Sequence, residues 1–537
     1  MDGWFGLAPL DFVGIASYFI AVAFIGLLAA RKVKTEEDYF IGGRKFGHAL
    51  LIFHWLCTGT HTEMPVQVAG ACYEVGLGGI WYQWMWLFCT PFYWLIAPIT
   101  RRLRVVTTGD FYRERYGRGL EMIYSLIAIA FYITYIGMAL QGAGRAIAGA
   151  TGMQIKLEHT VAVLSIISAI YVFAGGLVAA AFTDFLQGVL IIVLSIMLIP
   201  FGLAHVGGMI GLHQKLPETM FSPVAPPGSR EGDLFFILTM SIASLVGIVA
   251  QPHTLTATGS GKTELEARVG MCYGNFIKRF LTIAWAFTGL IGLVLFPTLE
   301  HREEVWGRSI QLLLPDGFRG LMVAAMLAGI TATETFMVVG SAIFTRNFYE
   351  HIVRNKRPEH YLMVGRIAAM GMLIAGVVVA FLSPSLTAIL KISIEIIAFM
   401  GPAFWIGIAW RRANSYGAWA GVIAGITAWL ITARLGWDAP QRIALVVPLQ
   451  FVLTIIVSYF TPPMPKEQLE PFYAKLHTSV AEEETGEKIT TPRKLINHPD
   501  IELPRLNLVD IAGFIVAWGL VAVLIGLLWW LSRIGAL

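Results

Sequence analysis

Charge is scarce in this sequence. Of its 537 residues only 14% are Asp, Glu, Lys or Arg, against roughly 25% in an ordinary soluble domain. That shortage excludes a soluble enzyme and a disordered chain. The net charge is only +4, too little for the basic surface of a nucleic-acid binder, so no nucleic-acid partner is expected. Cysteine is scarce too: Cys57, Cys72, Cys89 and Cys272 all fall in apolar stretches. They offer neither a metal spacing nor an extracellular disulfide framework. Met1 to Leu10 has no basic n-region and no small-residue cleavage site, so no removable signal peptide is expected. A phosphate loop is also missing. Gly259-Ser-Gly-Lys-Thr263 has Thr256 where the pattern needs a glycine, and no strand precedes it.

Apolar residues are abundant. The chain is 56% hydrophobic, with 16 Trp and 33 Phe, which suits a lipid solvent and aromatic belts at two interfaces. About 20 apolar residues cross a bilayer as a helix. By that measure fourteen spans are expected, near 10–30, 46–72, 78–99, 119–149, 159–181, 184–205, 233–253, 270–297, 310–346, 361–383, 386–409, 416–435, 442–461 and 509–532. The long stretches 119–149 and 310–346 are expected to tilt or to follow a short interfacial helix. The fold class is therefore an all-α polytopic membrane protein. Lys and Arg cluster in the odd-numbered loops, for example Arg101, Arg102 and Arg104, while the even loop 298–309 carries Glu300, Glu303 and Glu304. Odd loops are then cytoplasmic and both termini face out. The polar stretch 462–508 reads as a cytoplasmic linker to the last helix (509–537).

Two spans are interrupted. The second holds Gly59, Pro65 and Gly70 around a polar run from His54 to Glu63; the seventh holds Gly247 and ends in Gln251-Pro252-His253-Thr254. Proline removes a backbone donor. The groups it frees are tolerated at membrane depth only where they line a cavity or meet buried partners. Broken spans five apart are where inverted five-helix repeats hold their substrate. The division would be 1–45, a first repeat at 46–205, a loop at 206–232, a second repeat at 233–409, and two spans at 410–461.

Ionisable groups at bilayer depth usually face a pathway. The candidates are His61, Glu63, Arg145, Asp184, His253, Lys278, Glu334, Lys391 and Glu395. Asp184, Lys278 and Lys391 read equally as span-edge groups that snorkel or cap. Glu334 sits mid-segment among Thr331, Thr333 and Thr335. It reads either as a salt-bridge partner or as a proton- or cation-binding carboxylate. The threonines either bond their own helix or offer oxygens to a small hard cation.

These residues carry a resemblance. Gly175 to Gln187 resembles the GGL…TD..Q signature of the solute:sodium symporter family, which includes the sodium–glucose and sodium–proline cotransporters. Glu37 to Arg44, Ser341 to Tyr349 and Gly417 to Gly425 resemble its first cytoplasmic loop, the end of its ninth helix and the start of a late helix, so the likeness runs over roughly 10–460. The resemblance implies a five-plus-five inverted-repeat core at spans two to eleven, alternating access, and a plasma (inner) membrane location. It also implies sodium at a site where Cys57, Thr60 and Ala328 give backbone carbonyls and Thr331 a hydroxyl. Ala332 stands where the family has a second hydroxyl, and Glu334 replaces a small residue. Lys278 resembles the position of a substrate-binding lysine in sugar-transporting relatives, with Met64 where a polar side chain is expected.

The expected function is cation-coupled symport, with sodium first, of a small polar organic solute held by His61, Glu63, Met64, Gln251, His253 and Lys278. Asp184 would lie on the ion path, and no cofactor is expected. With Lys278, the His61, Glu63 and His253 set equally suits a carboxylate or a zwitterion. The alternatives are a proton-coupled or uncoupled carrier using Glu334, a transporter-like sensor, or a membrane enzyme, for which no nucleophile–base–orienter spacing stands out.

Overall fold

The computed structural model describes residues 4–30, 51–53, 55–56, 60–105, 107–174, 177–229, 231–259, 261–328, 331–480, 495–496, 498–504 and 506–536. In chain order the principal helices are α1 (Pro9–Ala30), α2 (Glu63–Val75), α3 (Thr90–Leu103), α4 (Thr108–Tyr116), α5 (Arg118–Ala150), α6 (Leu157–Ala174), α7 (Leu177–Val206) and α8 (Gly208–Lys215). The second half holds α9 (Leu234–Ile248), α10 (Pro252–Gly259), α11 (Glu264–Leu295), α12 (Glu304–Leu313), α13 (Phe318–Ala328), α14 (Thr331–Phe344) and α15 (Pro358–Leu382). It ends with α16 (Leu386–Ala398), α17 (Gly401–Ala409), α18 (Ser415–Arg434), α19 (Ala439–Phe460), α20 (Lys466–His477) and α21 (Leu508–Arg533).

Among the described residues, eight helical stretches are long and apolar enough to cross a membrane. A ninth is gained if α9 and α10, bent by 54°, form one broken span. Pro9–Ala21, Leu157–Ile170 and Phe318–Ala328 are shorter apolar helices. The described helices depart from the expected spans at three places, the first being 78–99, where only short turns precede α3 at Thr90. The stretch 310–346 is divided among α12, α13 and α14, with Pro315 and Gly317 between the first two. Helix α2 begins only at Glu63, after Thr60 and His61 have left helical geometry.

Local sequence sets these boundaries. Asp233 accepts from the amide of Phe236 at 2.8 Å and caps α9. Thr263 with Glu266, and Asn507 with Asp510, form reciprocal capping boxes on α11 and α21, satisfying amides that the first turn leaves unpaired. Burial then sorts the helices. In the apolar stretch of α5 and of α11, 72% of residues are buried, and in α16–α17, 78%. In α15 the share is 22% and in α21 it is 28%. A helix buried all round belongs to the core, and one with a single buried stripe faces the solvent, here lipid. Hence α5, α11 and α16 surround the centre, and α15 and α21 flank it. Helix α11 packs along α2 and α3, and Gly289 allows the approach because a side chain there would meet the Cys72 side chain at 2.8 Å.

Residues 462–508 hold a docked helix. On α20, Tyr473 donates to the Gly407 carbonyl (2.8 Å) and Lys475 pairs with Glu114 at 2.9 Å. Buried Glu502 accepts from Arg411 and His477, each at 2.8 Å.

Candidate functional site

The two broken elements meet. Pro252 is the first residue of α10, where its missing amide hydrogen costs nothing. Gln251 therefore stands in the turn between α9 and α10. At the other break, the Met64 amide bonds the His61 carbonyl at 3.2 Å, closing a turn that launches α2. Between them lies a cavity of about 50 Å³. His61 and Met64 face it from one break, Ile248, Gln251 and His253 from the other, and Asn275, Lys278 and Arg279 from α11. Trp55, Trp86, Tyr93, Tyr135 and Phe336 complete an aromatic wall. Phe336 touches His61 edge-on at 5.8 Å and stacks on Tyr132 at 5.2 Å. His253 stacks on Phe131 at 6.3 Å.

Five of the six residues expected to hold solute thus line one cavity: His61, Met64, Gln251, His253 and Lys278. Glu63 is not among the residues that line it. It is buried, attracts Lys278 electrostatically, and its carboxylate has no hydrogen-bond partner among the described residues. Gly142 on α5 makes room for it, since a side chain there would stand 2.6 Å from the Glu63 Cα.

The expected cation site is described only in part. Cys57 lies outside the described residues, as do the side chains of Asp184, Thr331, Ala332 and Glu334. What is described supports a polar junction. The Thr62 hydroxyl donates to the Met326 carbonyl at 3.2 Å, bringing the start of α2 to the end of α13, two residues before Ala328. Thr60 and Thr333 are buried, and neither hydroxyl has a hydrogen-bond partner among the described residues. Buried oxygens without partners are costly unless something else satisfies them.

Three further charges have structural partners. Glu395 is clamped by Arg442 at 2.7 and 2.9 Å and by the Trp429 indole at 3.0 Å. Arg145 pairs with Glu304 at 3.5 Å, and Lys391 pairs with Glu231 at 3.0 Å.

The Lys391–Glu231 pair belongs to a second feature at the far end of α2. A wider cavity of about 540 Å³ is lined there by Glu74, Val75, Thr219, Met220, Ala225, Pro226, Ser229, Glu231 and Arg302. Arg302 reaches Glu74, the Thr387 hydroxyl, Glu231 at 3.4 Å and Glu303 at 3.6 Å. Burial lowers the Arg302 pKa from its usual value, and Glu303 opposes that shift. Helix α2, roughly 20 Å long at 1.5 Å per residue, runs from the central cavity to this mouth.

Sequence reasoning missed Arg279 and the aromatic wall. Arg279 had a legible signal, since it adjoins Lys278 at membrane depth and two adjacent cations there are exceptional. The aromatics had none, because Trp and Tyr are common throughout the chain.

Known proteins share this architecture. Residues 39–425 match the model of the sodium:solute symporter family. The osmoregulated proline transporter OpuE of Bacillus subtilis is 24% identical over 471 residues, 84% of this chain and 94% of the relative. Sodium/myo-inositol cotransporter 2 of Homo sapiens is 25% identical over 86% of this chain and 78% of its own. The sodium/pantothenate symporter of Escherichia coli is 24% identical over 78% and 90%. A solved sodium-coupled sialic acid symporter, substrate-bound and outward-open, superposes with a TM-score of 0.70 at 18% identity, over 86% of this chain and 99% of that one. That likeness is one of fold.

Proposed function

The chain belongs to the sodium:solute symporter family, and we propose that it carries a small polar organic solute across a plasma membrane together with sodium, by alternating access. It is an integral membrane transporter and not an enzyme. The observation that carries the solute site is the convergence of His61, Met64, Gln251, His253 and Lys278, from two broken elements and α11, on one buried cavity. Irregular backbone at membrane depth belongs where it lines a cavity. The relatives named for proline, myo-inositol and pantothenate support a small organic solute.

Sodium takes the second site in this reading. Cys57, Thr60 and Ala328 would supply carbonyls and Thr331 a hydroxyl, with Glu334 standing in for the hydroxyl lost at Ala332 and Asp184 on the ion's path. The unpartnered Thr60 and Thr333 hydroxyls support it, because a hard cation takes oxygen ligands. Sodium bound at the junction of α2 and α13–α14 would favour one of the two arrangements, and coupling consists of that bias. The five-plus-five repeat, fourteen spans and outward-facing termini belong to the same reading. The face bearing residues 298–309 and the wider cavity is then external.

Thermal stability of the purified protein in sodium, potassium or choline at several pH values tests this. A ligand selective for the native state raises stability by mass action. The expected result is a sodium-specific, concentration-dependent rise that is weakened in Thr331→Ala. A rise with acid alone would give the coupling role to a proton on Glu334. Equal melting in all three cations would count against coupling.

A further inference from the structure

Among the described residues, two basic side chains of α11 and no carboxylate line the central cavity. Lys278 and Arg279 are successive residues of α11, and both face it. Glu63 attracts Lys278 electrostatically, whereas the groups that act on Arg279 are the Tyr93 hydroxyl and the Cys89 thiol, neither of them a carboxylate. Arg279 is 2% exposed, and its Nε and Nη1 have no acceptor among the described residues. Its neighbours are the Tyr93 hydroxyl, hydrogen-bonded to the guanidinium, and the Trp86 ring, 5.8 Å away. Arginine stays protonated in proteins and offers five donors in a planar fork. A buried guanidinium short of acceptors is costly inside a membrane protein. Its natural complement is a carboxylate, which accepts two parallel N–H bonds.

The remaining wall limits what else the ligand can be. The aromatic faces of Trp55, Tyr135 and Phe336 suit the apolar part of a small molecule better than a ring of hydroxyl groups. A cavity of about 50 Å³ has room for roughly three to five water-sized groups. We infer that the solute is a short organic monocarboxylate, its carboxylate received by Arg279, with Lys278 beside it and the apolar remainder against the aromatic wall. This rests on the transport reading and narrows its solute.

The test uses the full-length protein in lipid nanodiscs. Melting is followed while choline salts of acetate, propionate, lactate and pyruvate are titrated, at fixed sodium and again without sodium. Propionamide serves as the neutral match of propionate. The expected result is a saturable rise with at least one carboxylate and none with propionamide. Arg279→Gln should weaken that response about tenfold or more, the scale of a lost charged hydrogen bond, and Arg279→Lys should keep part of it. Without ligand, Arg279→Gln should melt no lower than the parent, since the glutamine removes an uncompensated charge. A merely structural arginine would give the opposite result. No response to any of the four acids, an equal response to propionamide, or an unchanged response in Arg279→Gln would overturn the inference. Sodium-induced stabilisation with no carboxylate response would sink the inference and leave symport standing. A carboxylate response identical with and without sodium would support the inference and sink the coupling.

Discussion

Replacing Arg302 with glutamine should loosen the wider mouth, external in the proposed orientation, and raise the fraction of molecules whose central cavity is open to that side. Arg302 ties the end of α2 (Glu74), the loop before α9 (Glu231) and the start of α16 (Thr387) to its own loop. Not all of these ties count. Glu74 is 56% exposed, so screening leaves that pair worth little. Glu303 is adjacent in the chain and moves with Arg302. The Glu231 pair, with each side chain 16% exposed, and the Thr387 bond span elements that must separate on opening. Together they amount to about 1–2 kcal/mol, a factor of roughly 5–30 in an equilibrium. The readout is alkylation of Met64→Cys, a cavity position, by a membrane-impermeant maleimide added outside. Cys72, Cys89 and Cys272 are buried, and the parent chain supplies the background rate. Alkylation should quicken by that factor in Arg302→Gln. Glu231→Gln also removes the Lys391 pair and should give at least that gain, and the double variant should show less than the product of the two, because Arg302 and Glu231 share one interaction. Equal alkylation rates in all four proteins would refute the assignment of this cluster as the external closure.

Three other outcomes are expected. Glu395→Gln strands the Arg442 guanidinium and should destabilise the protein by about 3–5 kcal/mol, the cost of breaking a buried pair, with a lower melting temperature but unchanged cation selectivity; a changed selectivity would return Glu395 to the transport path. Ala332→Ser restores the hydroxyl that the family resemblance leads one to expect and should raise sodium affinity in the melting assay; no change would mean that sodium binds elsewhere. Glu334→Gln should alter the pH or cation dependence of that sodium response, and an unaltered profile would leave Glu334 with a structural role.

Much of this architecture was legible because lipid imposes a length rule on apolar runs. The run from 119 to 149 reappears within α5, and the run from 270 to 297 in α11 up to Leu295. Proline was legible as a break but not as what it does here. Pro65 lies in the first turn of α2 and Pro252 opens α10, so each starts a helix rather than kinking one. The stretch 310–346 averaged as a single apolar run, and averaging hid the turn at Pro315 and Gly317 that separates α12 from α13.

Charges at membrane depth were also legible one at a time, but the meaning of each depends on its complement, and complements are remote in sequence. Glu395 finds Arg442 47 residues later, and Lys391 finds Glu231 160 residues earlier. Both are ordinary ion pairs once the fold brings the partners together. Lys278 and Arg279 differ. Both are basic, so neither neutralises the other, and two nitrogens of Arg279 have no acceptor among the described residues. A search for single ionisable residues finds the lysine and stops. Arg279 gains its meaning only when charge is matched with countercharge around the folded cavity, and an anionic ligand is the complement proposed for it.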